Sequence, residues 1–128
     1  MGTVVLDAGV VIGWLETSDA HHAAADAAID QHADDDVRIP SSVYAEILVR
    51  PARRGATELT RNLLRAAGIR IDAIGEETAE HAAKLRAAHP SLRLPAALVL
   101  GHAEAIGADV VLTTDRRWKR VSDRVHVV

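Results

Sequence analysis

Three carboxylates stand where this chain could do chemistry. Asp7 ends the β-prone run Thr3-Val4-Val5-Leu6, Asp115 follows Val110-Val111-Leu112-Thr113-Thr114, and Glu46 lies in a helix that directly follows a second short strand. In open α/β sheets, ligands bind beyond the carboxyl ends of the strands, at the point where strand order reverses. If the strands before Asp7 and Asp115 are neighbours at that point, all three acids converge in one crevice. Like charges held so close either raise their pKa values or recruit a cation. Hard oxygen donors, with no Cys and no clustered His, favour Mg²⁺ or Mn²⁺ over zinc. Such an ion orients a water, lowers its pKa and stabilises the charge on a phosphate under attack. Arg53, Arg54, Arg116, Arg117, Lys119 and Arg120 are the candidates to hold the anionic backbone of a nucleic acid. The chemistry these types and positions point to is metal-dependent phosphodiester hydrolysis.

The charge distribution fits a polyanion partner better than the net charge of −3 suggests. Residues 1–36 hold eight acidic side chains and no Lys or Arg, while residues 37–70 hold seven Arg against two Glu. Residues 115–124 add Lys119 and four Arg against two Asp, so local basic surfaces form on a mildly acidic protein. With 128 residues, 48% of them apolar, the expectation is one domain over 1–128 with a real core. That core must come from Val, Ile, Leu and Ala, since the aromatics are only Trp14, Tyr44 and Trp118. The lack of Cys excludes disulfides and thiolate metal sites. No apolar run approaches a membrane span and no signal-peptide pattern opens the chain, so a cytoplasmic location is expected.

The elements that must position the acids alternate along the chain. Strands are expected over 3–6, 37–39, within 69–74, over 109–112 and over 125–128. A short helix or turn should carry residues 10–15 back over the sheet, and Ser18-Asp19 should cap an Ala-rich helix from 20 to about 31. Ser41 or Ser42 should cap a helix over 43–50, with Val43, Ile47 and Val49 inward and Pro51 marking its end. Residues 56–67 read as a helix with Leu59, Leu63 and Leu64 inward and Gly68 as its stop. Helices over 76–88 and 94–107 follow, the second with Pro at its start and apolar nearly all round, hence interior. His21, His22, His81 and His89 read as surface or half-buried residues rather than ligands, and Trp118 as a plug under its basic turn. Strands alternating with helices predict a three-layer α/β/α sandwich around a parallel sheet of four to five strands.

Two other chemistries of this fold class fail on residues. A phosphoacceptor receiver needs an acidic pair after the first strand and a Lys after the fifth, and a haloacid-dehalogenase-like phosphatase needs Asp-x-Asp where Asp7-Ala8-Gly9 stands. By contrast, Val4-Val5-Leu6-Asp7, the run from Ile39 to Leu48 containing Glu46, the run from Leu94 to Leu100, and Gly107 to Trp118 containing Thr113-Thr114-Asp115 together resemble a PIN domain. More closely they resemble the VapC-type toxin ribonucleases of bacterial toxin–antitoxin pairs. The resemblance implies a Mg²⁺- or Mn²⁺-dependent endoribonuclease acting on structured RNA, tRNA or rRNA, as a homodimer restrained by a cognate antitoxin. It makes Asp7, Glu46 and Asp115 the acidic catalytic and metal-binding residues, with Thr113 or Thr114 orienting the first of them. Two positions depart from the pattern. Ala96 stands where the family places an Asp after Leu-Pro, which implies weakened metal binding and impaired catalysis. Gly9 stands where the family often has Ser or Thr, which implies one lost hydrogen bond. Ala96 also keeps open a second reading, a non-catalytic PIN-like module that binds RNA or an antitoxin.

Overall fold

The structure, a computed structural model, describes residues 1–128. The chain runs β1 (Thr3–Leu6), α1 (Ala8–Leu15), α2 (His22–Gln31), β2 (Asp36–Pro40), α3 (Ser41–Ile47), α4 (Val49–Arg53), α5 (Thr57–Ala66), β3 (Arg70–Asp72), α6 (Glu76–Ala88), α7 (Leu94–Ala105), β4 (Val110–Thr113), a 3₁₀ turn (Arg116–Arg120) and β5 (Val125–Val127). The strands form one sheet in the order β3-β2-β1-β4-β5, every pair parallel. Strand order therefore reverses between β1 and β4, where Val4, Val5 and Leu6 pair with Val110, Val111 and Leu112.

Consecutive residues of β1 point to opposite faces, yet Val4, Val5 and Leu6 are all buried. Both faces of the sheet are thus covered by helices, as an all-parallel sheet requires. One core cluster holds the molecule together, built almost wholly from aliphatic residues with Trp118 sealing it at the 3₁₀ turn. No helix is long and apolar enough to cross a membrane.

Several local expectations shift. The Ala-rich helix starts at His22, not Ala20, because Asp19 folds the preceding residues into a turn by accepting from the His21 N–H at 2.8 Å. Pro40 is the last residue of β2 rather than its stop, and its φ of −68° supplies the extended residue that opens α3; neither Ser41 nor Ser42 caps that helix. Pro51 does not end a helix. It sits in the first turn of the short α4, where a missing N–H costs nothing, and Leu48 links α3 to α4 in helical geometry. On α5 the buried row is Thr60 and Leu64, while Leu59 and Leu63 are 61% and 45% exposed. Thr60 tolerates burial because its hydroxyl donates to the Ala56 carbonyl at 3.0 Å. Val49, expected inward, is also exposed.

The helices α6 and α7 pack closest at Gly101. A Cβ there would lie 2.7 Å from the Ala82 nitrogen and 3.1 Å from the Thr78 carbonyl oxygen, both rigid backbone. The same seam buries His102, whose Nδ1 meets the Thr78 hydroxyl at 3.0 Å and whose Nε2 meets Asp72 at 2.9 Å, tying α7 to α6 and to the end of β3. Gly101→Ala must part the two helices. It should cost about 1–3 kcal/mol, the usual range for overpacking, read as a lowered urea midpoint; an unchanged midpoint would show that the seam yields freely.

Candidate functional site

Each acid is placed by a different element. Asp7 follows β1 and caps α1: its φ and ψ of −76° and 158° are extended, and its Oδ1 accepts from the Ala8 N–H at 2.7 Å. Its Oδ2 accepts from the Thr113 hydroxyl at 2.8 Å. That hydroxyl, fully buried at the end of β4, also accepts from the Asp115 N–H at 3.1 Å. One Thr side chain thus ties the end of β1 to the residue that caps the 3₁₀ turn. Glu46 enters from the last turn of α3 and is largely exposed. All three acids line one cavity of about 440 Å³ at the carboxyl edge of β1 and β4, with Ala96 in its wall.

Of the two threonines considered for Asp7, Thr113 is the donor. Thr114 does something else. Its Oγ1 lies 2.5 Å from the point where a Cβ on Gly9 would sit. The glycine and this hydroxyl therefore share one space, and a Ser or Thr at position 9 would displace Thr114 rather than simply add a bond.

The charge states differ among the acids for separable reasons. Burial pushes the Asp7 carboxyl above its ordinary value, the Thr113 and Ala8 hydrogen bonds hold it back, and the charge of Asp115 adds a smaller upward push. Glu46 is raised by burial first and by Asp7 second, so those two acids sense each other. Asp115 goes the other way. The Arg117 guanidinium holds it below the usual range, with Nε to Oδ1 at 3.0 Å and Nη2 to Oδ2 at 2.8 Å. Asp7 has no cationic side chain within salt-bridge distance, so the negative charge at the end of β1 is uncompensated by the chain itself.

The donor set suits a hard divalent cation: it is all oxygen and includes a half-buried charge with no cationic partner. The present spacing is looser than an ion needs, since no three His, Asp or Glu side chains stand close enough to hold one between them. Asp7, Glu46 and Asp115 would be the ligands, with no fourth acid from Ala96.

The basic candidates divide. Arg117 and Arg120 line the acidic cavity, whereas Arg116 and Lys119 line a second cavity of about 450 Å³ with Thr114 and His21. Arg53 and Arg54 line neither of these cavities, and Arg54 reaches Glu16 at 3.7 Å. Arg93, which precedes α7, was not singled out from the sequence and also faces the acids; so does His89, which caps the end of α6 and is half-buried as expected. Each lies beside a helix boundary, and that position was the available signal. His81 is paired with Glu104 of α7 at 3.1 Å rather than with Glu77 of its own helix.

The raised Asp7 carboxyl carries a consequence for stability. The folded state holds a proton more tightly here than the unfolded chain, so stability falls as pH rises from the ordinary value of 3.8 through the raised one, and the full penalty remains above it. Asp7→Asn removes the charge while leaving an acceptor for Ala8. It should melt higher than the native protein at pH 7, with the gain vanishing as pH drops below the ordinary carboxylate range. A lower melting temperature at pH 7 would contradict the assignment. Thr113→Val, which strips the shared hydroxyl from a fully buried position, should cost about 1–3 kcal/mol by denaturant titration.

The model of the PIN domain matches residues 4–124. No curated protein sequence matches the chain. Among solved structures, a toxin–antitoxin complex from Klebsiella pneumoniae superposes with a TM-score of 0.80 at 20% identity, over 97% of this chain and 96% of that one. VapBC2 from Rickettsia felis, bound to a DNA fragment from its promoter, gives 0.78 at 15% identity over 98% of each chain. Mycobacterium tuberculosis VapC20, a sarcin–ricin loop cleaving toxin, gives 0.73 at 15% identity over 91% of this chain and 93% of that one. The matched span runs from the second residue of β1 past the 3₁₀ turn, including every acid of the cavity, and the chain belongs to the PIN domain family.

Proposed function

We propose that this chain is a Mg²⁺- or Mn²⁺-dependent endoribonuclease, the toxin of a toxin–antitoxin pair, working in the cytoplasm as one domain over 1–128. The observation that carries the reading is the convergence of Asp7, Glu46 and Asp115, from three elements distant in sequence, on one cavity that Arg93, Arg117 and Arg120 also line. Structured RNA is the substrate class, tRNA or rRNA, in keeping with the sarcin–ricin loop cleaved by one structural relative. Relatives solved as toxin–antitoxin complexes support a protein antitoxin as partner. A homodimer would cover the exposed Val49, Leu59 and Leu63 of α4 and α5.

A bound divalent ion would supply an activated water and charge neutralisation at the scissile phosphate. The chain's own residues do the rest. Thr113 fixes the orientation of Asp7, so that both oxygens of that carboxylate are aimed before any ligand arrives. Glu46, exposed at the rim, brings a second carboxylate to the same cavity. Arg93 and Arg120, with no carboxylate partner, offer their charge to the RNA backbone. Ala96 favours the second reading, a module that binds RNA or an antitoxin without cutting, because the first turn of α7 brings no acid to the cavity.

The two readings separate on one substitution. Ala96→Asp adds a carboxylate in the first turn of a helix, where the dipole favours it. With Mn²⁺, that variant should cleave total tRNA or rRNA about 10²-fold faster than the native chain, the scale of restoring one electrostatic group at a reacting centre. The doubly substituted Ala96→Asp, Asp7→Asn protein should be silent. Failure of the first variant to cleave either RNA while still binding it would establish the binding module instead. Reversing charge at Arg116, Arg117, Lys119 and Arg120 should weaken RNA binding and flatten its dependence on salt; an unchanged salt slope would remove those residues from the interface.

A further inference from the structure

Resting on the metal-dependent reading, we infer that Arg117 is a competitor for the cation, built into the chain. Its guanidinium closes on the Asp115 carboxylate, and a divalent ion gains the whole of that carboxylate only when the guanidinium leaves. The contact is a two-pronged fork, Nε to Oδ1 at 3.0 Å and Nη2 to Oδ2 at 2.8 Å, and Oδ1 also accepts the Arg117 backbone N–H at 2.9 Å. An ionised carboxylate has about four acceptor positions. Three are taken, all by one residue. One position is left for an ion while the fork is closed, and no three acids stand close enough to hold one between them.

The fork is placed to exchange partners. The Arg117 side chain is 86% exposed against 26% for Asp115, so the guanidinium covers the acid from the solvent side. Exposed pairs of this kind are weakly held. The backbone beneath is fixed: Trp118, the next residue, is buried in the core, and Asp115 caps the turn. The side chain can therefore swing about an anchored Cα while staying at the wall of the cavity it already lines. A released guanidinium there faces the space that a phosphate would enter, and its planar fork suits phosphate as well as carboxylate. Arg120, in the same wall, has no carboxylate partner and provides the comparison.

Calorimetric titration with Mn²⁺ alone tests this on the native chain, R117A, R117K and R120A, with A96D as a reference. R117A should bind Mn²⁺ about two- to ten-fold more tightly than the native chain, the scale set by a bidentate charged hydrogen bond partly in water. R117K keeps the charge without the fork and should approach R117A. R120A, which removes equal charge from the same wall, should shift affinity by less. Native Mn²⁺ binding with R117A unchanged, or with R120A matching R117A while R117K stays native-like, would overturn the competitor and leave the metal-dependent reading standing. Absence of Mn²⁺ binding in every variant, A96D included, would overturn both.

Discussion

The hydroxyl of Thr113 is the constraint on which the site depends. It donates to Asp7 and accepts from the Asp115 backbone, so the ends of β1 and β4 are held in register by a side chain as well as by the sheet. Its burial makes the arrangement firm, since a hydroxyl with no water to turn to keeps the partners it has. The two strands meet at the reversal of strand order, the place where a parallel sheet leaves a crevice uncovered by any crossover. Architecture supplies the opening, and one Thr sets the acids at its base.

Charge at that crevice is distributed unevenly. Asp7 is desolvated and lacks a cationic neighbour, Glu46 senses it from the rim, and Asp115 is neutralised by Arg117. A protein selected for stability alone would not leave a half-buried carboxylate in this state. Strain of this kind at the end of a central strand is what a binding or reacting site accepts in exchange for function. Ala96 brings no further acid to the cavity wall, so the first turn of α7 adds nothing to that strain.

Much of this was legible from residue order. The strand runs were short and continuously apolar, as doubly covered strands are, and the acids followed them directly; β1 and β4 needed no more than that. The extent of α6 was readable from its Glu-Glu start and His-Pro end. What failed was the reading of which face is buried. On α5 leucine count favoured Leu59 and Leu63, but Thr60, with its hydroxyl bonded back to Ala56, took the inward row instead. Pro51 misled because a proline ends one helix and begins another with equal ease, and only the geometry at Leu48 separates the two cases. Arg93 and the cross-helix pairing of His81 depend on how α6 and α7 lie together, and no local spacing encodes that.

The bond between Asp7 and Thr113 joins residues 106 positions apart. A growing chain presents Asp7 almost at once, yet β1 gains its neighbour on that side only after nearly all the intervening sequence has been made and docked. Sheets closed by such remote pairings form late and slowly. A nascent or half-folded copy therefore carries its acids without the pocket that unites them, and the crevice exists only once the last third of the chain has docked beside the first strand.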